Sequence, residues 1–271
     1  MGRSIAVLLA ALGLAVSLGS APAQASSESP ILSRILASGT LRVGMSGGQP
    51  PLNFKSKSGT LMGLEVDLAR ALAGIMNLEL KLVEKPFPEL LGALAGGEVD
   101  LVISGLTITP ERNTKSAFVG PYFLSGKSIL TRSTTLAQAD EAADLDQADL
   151  KLAALEGSTS QRFVETRLPK ASLVTTPNYD EAVKLLLADQ VSAVVADREI
   201  VRLTAFLHPK EGLATLPETL TIEPIGIAAP PGDVLLVNHL QNAMAALEAS
   251  GLMSAIRVRW LERSDWIQQL P

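Results

Sequence analysis

ELLGALAGGEVDLVISG, residues 89–105, lines up without a gap on EAVKLLLADQVSAVVAD, residues 181–197. In each copy a helix-period apolar stretch gives way to a short β-branched run, residues 99–103 or 191–195. Each copy therefore predicts a helix, a tight turn and a buried strand, which is half of an α/β unit. Open parallel sheets bind ligands just beyond the carboxyl ends of their strands. That directs attention to Ser104 and Gly105 after the first run and to Ala196 and Asp197 after the second. Two similar lobes facing one another across a cleft is the simplest arrangement that uses both edges.

The block after the first copy, ISGLTITPER at residues 103–112, carries chemistry suited to an anion. Gly105 lets the backbone approach a ligand closely, and Thr109, Pro110 and Glu111 read as N-cap, N1 proline and acidic first turn of a short helix. That helix brings in Arg112, whose guanidinium fork pairs bidentately with a carboxylate, with the Thr107 hydroxyl and the Gly105 N–H completing a cradle. On its own Arg112 would be a solvated helix residue; the repeat is what gives it a partner surface. In the second copy Asp197 either caps the helix that follows or presents its carboxylate to the cleft. The GSTS run at residues 157–160 follows a short strand, residues 151–155, and opens the helix QRFVETRL. Ser158 and Thr159 thus stand at a helix N-terminus, a place favourable to an anion and equally an ordinary capped helix start. Arg112 and Thr107 from one lobe with Thr159 and Asp197 from the other would clamp a small zwitterion such as an α-amino acid.

At these residues the chain resembles the polar amino-acid family of periplasmic solute-binding proteins, the receptors of ABC importers. The resemblance runs in order through GTLRVGM (39–45), GLEVDLARAL (63–72), EVDLVISGLTITPER (98–112), GPYFLSGKSIL (120–130), VSAVVADREI (191–200) and EPIGIAAP (223–230), to the closing helices that end at Trp260. It implies a two-lobed α/β fold of the type II periplasmic-binding class, each lobe a mainly parallel sheet flanked by helices. It also implies that Arg112 and Thr107 hold the ligand carboxylate, that Thr159 supports it from the other lobe, and that Asp197 meets the ammonium. Members that take basic amino acids resemble G-T-D-x-x-Y-x-P-F after the first strand. This chain reads GMSGGQPPL at residues 44–52, so Ser46 replaces an acid, Gln49 a tyrosine and Leu52 a phenylalanine. Phe87, in KPFPELL, is either the aromatic that packs on the ligand side chain or a core residue. A cationic side chain would lack an acidic partner in this pocket, and an unpaired buried charge is costly. A polar or modestly apolar neutral amino acid is the expected ligand, unless Glu65 or Glu156 turns inward.

Composition agrees with export. Arg3 precedes the apolar run at residues 5–18, and Ala23, Gln24 and Ala25 offer a cleavage site, so residues 1–25 read as a signal peptide. One arginine leaves with them, and the remainder carries −6, from 22 basic against 28 acidic residues. No basic patch suggests nucleic acid. With no cysteine there is no disulfide and no lipid-bearing thiol, and a free periplasmic monomer is expected. Its partners would be a small amino acid and a membrane ABC permease, with no cofactor and no metal. The expected lobes are residues 31–125 with 229–271, and residues 126–228, joined by extended crossings at 126–132 and 221–228. Two alternatives remain open: an enzyme on the same scaffold, such as a dehydratase of cyclic prephenate-like acids with Glu156 as its acid, and a ligand-sensing domain. His208 and His239 are too isolated for metal spacing, and GSTS lacks the frame of a nucleophile elbow.

Overall fold

The computed structural model describes residues 29–271, so the expected signal peptide lies outside the described residues. Helix α1 (Pro30–Ser38) starts on a proline at its first turn, and strand β1 (Thr40–Met45) follows after Gly39 closes the helix in the left-handed conformation. Three short strands, β2 (Gly48–Gln49), β3 (Asn53–Lys55) and β4 (Leu61–Met62), form a small antiparallel sheet. Helix α2 (Leu64–Ile75) buries Leu64, Val66, Leu68 and Leu72, and strand β5 (Glu79–Glu84) pairs parallel with β1. The first repeat copy gives α3 (Leu90–Ala95) and β6 (Leu101–Val102). The chain then makes the one-turn helix α4 (Pro110–Asn113), with Thr109 accepting from the Arg112 N–H as its N-cap, and strand β7 (Ala117–Ser125).

The second sheet is built from one continuous stretch of chain. It comprises β8 (Lys127–Thr131), β9 (Lys151–Leu155), β10 (Ser172–Thr176), β11 (Ala193–Asp197) and β12 (Ala214–Thr215), with helices α5 (Thr159–Arg167), α6 (Tyr179–Leu187) and α7 (Arg198–Leu207). Strand β13 (Glu223–Ala229) then returns to the first sheet, and α8 (Val234–Ala249) and α9 (Leu252–Arg257) close the chain. The segment 134–147 contains two single 3₁₀ turns, Leu136–Gln138 and Ala142–Leu145.

The strand orders are β5-β1-β6-β13-β7 and β10-β9-β11-β8-β12. In both, the first three strands are parallel and the last two alternate antiparallel, so the sheets match position by position. The two repeat copies supply the central strand of each, β6 and β11. Even the turn before that strand is shared: Gly97 and Asp189, equivalent in the alignment, both take positive φ, at 71° and 55°. A tight left-handed turn is what swings each helix back onto its sheet.

Two expectations need correction. The first β-branched run forms a regular strand over only two residues, because its second neighbour, β13, pairs with it at Val102 alone; toward β1 the backbone bonds continue at Asp100 and Ile103. The return segment is not a bare crossing at the end of the second lobe. Strand β13 pairs antiparallel with β7 in the first sheet, from Glu223 opposite Ser125 to Ala229 opposite Ala117. The crossings are therefore short, at Gly126 and at residues 221–222, and the first half resumes at residue 223 rather than 229.

The first core packs β1, β6 and β13 against α2, α8 and α9 through Leu41, Val43, Leu68, Ile227, Leu240 and Met253, all under 5 % exposed. The second lies under β9 and β11, around Leu152, Phe163, Val195 and Leu216. A third cluster contains residues of both halves, including Leu90 and Val102 with Leu155, Tyr179 and Ala196. Asp100, at the entry to β6, binds the first half together. Its fully buried carboxylate accepts from the Arg42 N–H and guanidinium and from Arg34 Nη2 at 2.7 Å, joining α1, β1 and β6.

Burial pushes the Asp100 carboxyl up, but the hydrogen bonds from Arg42 and Arg34 outweigh it and hold the group below the ordinary carboxylate range. A depressed folded-state value means that the stabilisation is present above the unfolded carboxylate pKa and is lost as pH falls through the folded one. Asp100→Asn should therefore destabilise the protein by about 2 kcal/mol at neutral pH. It should also flatten the acid limb of an unfolding series run from about pH 6 to about pH 2. An acid limb identical to that of the parent protein would contradict the assignment.

Candidate functional site

The carboxyl ends of β1 and β6 face those of β9 and β11 across a cleft, and every residue singled out in the sequence can be placed relative to it. Thr107 is 3 % exposed and its hydroxyl lies 3.1 Å from that of Thr159, a contact between the two halves. Arg112 reaches the same seam: Nη1 donates to the Thr107 carbonyl at 3.0 Å and Nη2 to the Gly157 carbonyl, across the cleft, at 3.3 Å. Just outside, Arg162 of α5 pairs with Glu111 at 2.7 Å. Thr109, Arg112, Gly157, Thr159 and Gln161 line an open groove of about 360 Å³ at this edge. Burial lowers the guanidinium pKa of Arg112, opposed by Asp197, Glu223 and Glu111, in that order. The carboxylates of both halves thus act on one arginine.

Ser158 is occupied as the N-cap of α5, accepting from the Gln161 N–H at 3.1 Å and donating to the Leu155 carbonyl at 2.6 Å. Its hydroxyl serves the helix, and Thr159, one residue on, is the side chain turned to the other half. Asp197 stands at the N-cap position of α7 but makes no capping hydrogen bond. Its carboxylate instead meets a partner that the sequence did not suggest: Lys127 Nζ, at 2.5 Å.

Gly105 departs from expectation. Its N–H, assigned to a ligand cradle, donates instead to Glu65 Oε1 at 2.6 Å. Glu65 is fully buried and also accepts from Tyr122 Oη and from Asn53 Nδ2. Burial raises its pKa, against the pull of those three donors. Burial and the adjacent Glu65 likewise raise that of Tyr122 well above the phenol range. The inward turn of Glu65 thus fixes strand ends in place, since Asn53 in turn accepts from the Gly47 N–H and Ser46 Oγ. Gly105 keeps a positive φ of 61°, and a Cβ there would meet Gln49 Oε1 at 2.4 Å. The left-handed backbone is what favours glycine here, since the Gln49 amide is the end of a flexible side chain that could move aside.

Ser46, Gln49 and Phe87 line a small cavity of about 30 Å³ between the halves, with Leu155, Pro177, Asn178 and Tyr179 on the opposite wall. Phe87 is 7 % exposed, and besides lining this cavity it packs into the cluster shared by the two halves. Leu52, proposed for the pocket, instead belongs to the first core at 2 % exposure. The cis Pro50–Pro51 peptide precedes it. Glu156 is exposed and lines no part of this cavity. Sequence reasoning missed Lys127, Glu223 and Tyr179. A single lysine inside the apolar run at residues 127–131 was the available signal, since a charge in a buried strand demands a partner. Among the described residues no group of three or more His, Cys, Asp or Glu is placed to hold a metal ion, and no helix is long and apolar enough to cross a membrane.

Comparison with known proteins bears on the family and the fold. The family model for bacterial extracellular solute-binding proteins, family 3, matches residues 41–263. Cyclohexadienyl dehydratase of Pseudomonas aeruginosa is 28 % identical over 266 residues, covering 97 % of each chain. The L-arginine-binding protein of the same organism is 31 % identical over 230 residues, 81 % of this chain and 87 % of that one. Among solved structures, an ancestral amino acid-binding protein described as a precursor of cyclohexadienyl dehydratase superimposes with a TM-score of 0.77 at 31 % identity, over 84 % of this chain and 98 % of the other. The two-sheet α/β architecture is that of the type II periplasmic binding proteins, and with most of its length matched the chain belongs to the bacterial extracellular solute-binding proteins, family 3.

Proposed function

We propose that this protein is the extracytoplasmic solute-binding receptor of an amino-acid ABC importer, closing around one small zwitterion and handing it to a membrane permease. The observation that carries this is the convergence, at one seam, of Arg112 and Thr107 from the first half with Thr159 and Asp197 from the second. An arginine and an aspartate drawn from opposite halves are complementary to a molecule bearing a carboxylate and an ammonium. Such a ligand makes its full set of contacts only when the halves meet, so it shifts the population toward closure. The permease would read that closed shape.

The wall of the 30 Å³ cavity supports a neutral ligand side chain. Ser46, Gln49, Phe87, Leu155, Asn178 and Tyr179 bring hydroxyls, amides and apolar surface but no carboxylate, and Glu65, though turned inward, lines no part of the cavity and is engaged by the Gly105 N–H, Asn53 and Tyr122. Similarity to a dehydratase keeps an enzyme in view. The acid nominated for that chemistry, Glu156, is exposed and away from the cavity, which favours binding without turnover.

A thermal-shift screen of residues 26–271 against the common L-amino acids and small carboxylic acids tests the proposal. A ligand that binds only the folded state adds about 4 kcal/mol at a thousand times its dissociation constant, which moves the melting temperature by several degrees. Neutral amino acids should stabilise, and the bound compound should be recovered chemically intact. Recovery of a dehydrated product, or stabilisation by none of the amino acids, would refute the receptor assignment.

A further inference from the structure

Asp197 does not stand alone in the cleft. Lys127 lies directly opposite it in the antiparallel pair of β8 and β11, and the lysine Nζ sits 2.5 Å from Asp197 Oδ1 and 3.7 Å from Glu223 Oε2. All three are buried, Lys127 to within 1 %. One ammonium therefore serves two carboxylates. Arg112, by contrast, is met by two carbonyls and, among the described residues, by no carboxylate within ion-pair distance. Two cations and two anions balance in number but not in pairing.

A zwitterion evens the pairing. Its carboxylate supplies the anion that Arg112 lacks, and its ammonium supplies a second cation to the Asp197 and Glu223 pair. Resting on the receptor function proposed above, we propose that Lys127 is a ligand-displaced latch on the ammonium subsite: the ligand's ammonium takes Asp197, and Lys127 passes to Glu223. Each buried charge then has one partner of opposite sign, which removes the penalty of a carboxylate only half neutralised.

The surroundings of Glu223 suit that hand-over. Its Oε1 accepts from Thr221 Oγ1 at 2.9 Å, which fixes the side chain and leaves Oε2 toward Lys127. A movement of Nζ by about 1 Å reaches charge-assisted hydrogen-bond distance. Thr221 also accepts from the Lys127 N–H at 3.0 Å. Lys127 follows the outgoing crossing and Thr221 lies on the return, so the exchange of partners alters the ionic contact at the hinge itself. The latch also sorts ligands: an acid without an α-ammonium has nothing with which to displace Lys127.

The two partners of the lysine give variants of opposite effect. Titration calorimetry on the wild type, Lys127→Gln and Glu223→Gln would use each common neutral L-amino acid beside its 2-hydroxy acid, and would follow the ratio of the two affinities. Lys127→Gln removes the competitor and should shift that ratio toward the amino acid by about tenfold or more; Glu223→Gln removes the landing place and should shift it away by a similar factor. A Lys127→Gln protein that loses preference for the amino acid would show that the lysine holds the ligand itself, and an unaltered ratio in Glu223→Gln would show that no hand-over occurs. Either result overturns the latch while leaving the receptor intact. A wild type that binds neither class would overturn the receptor assignment, and the latch with it.

Discussion

Replacing Arg112 with alanine is expected to weaken binding of the amino-acid ligand by about thirtyfold or more, because truncating one partner of a desolvated charge pair costs about 2–5 kcal/mol. The expectation rests on the lack of a substitute. Lys127, a second cation near the cleft, is buried and already committed to Asp197 and Glu223. Thr107 and Thr159 offer hydroxyls, which hydrogen-bond a carboxylate without neutralising it. Arg112→Lys should recover only part of the loss, since an ammonium is a point charge and cannot form the two parallel bonds of a guanidinium. Stability should change little, because the arginine contacts in the fold are two carbonyl hydrogen bonds on a half-buried side chain. Calorimetric titration together with a melting curve separates the two effects. Undiminished affinity in Arg112→Ala would remove Arg112 from the site.

The second large effect concerns the fold. Trp260→Ala should cost about 3–5 kcal/mol, the usual range for removing a buried tryptophan, and lower the melting temperature by roughly 10 °C. Trp260 is 2 % exposed and meets Phe54 edge to face at 5.9 Å, while Trp266 packs on both rings at 5.3 and 5.4 Å. Its Nε1–H donates to Asp67 on α2 at 2.8 Å. Phe54 belongs to the small sheet, Asp67 to α2 and the tryptophans to the end of the chain, so one side chain ties two neighbouring segments of the first half to one far along the sequence. Trp260→Phe keeps a ring in the cluster but abandons Asp67, and should fall between the parent and alanine proteins. A melting temperature for Trp260→Ala within a degree or two of the parent would mean that the C-terminal segment is not docked as described.

Local signals accounted for much of what could be foreseen. The helix and strand of each repeat, the cap at Thr109 and strand β9 follow from periodicity and capping chemistry that act within a few residues. The failures share a cause of a different range. That the Gly105 N–H is taken depends on Glu65, forty residues earlier, turning inward beneath it. That Asp197 has a lysine depends on a strand pairing across seventy residues. Leu52 reads as a pocket residue if the loop after β1 lines the cleft; the turn over Pro50 and Pro51 sends it into the core instead. Strand β13 looked like a crossing because EPIGIAA carries no alternation. It has none because both of its faces are covered, so that nearly every residue is buried. Sequence patterns of this kind report burial, and the identity of the covering partner is set elsewhere in the chain.

The place of β13 also imposes an order on assembly. The second sheet needs nothing beyond Thr215, and its five strands come from one uninterrupted stretch that can pair as soon as it is available. The first sheet is different: β13 lies between β6 and β7, so β7 has no neighbour until residues 223–229 arrive. On a chain delivered from its N-terminus, the half that begins first must therefore be completed last. Its edge at β6 stays open while the whole of the other half is being made, and the final strand and the tryptophan-bearing tail are what seal it.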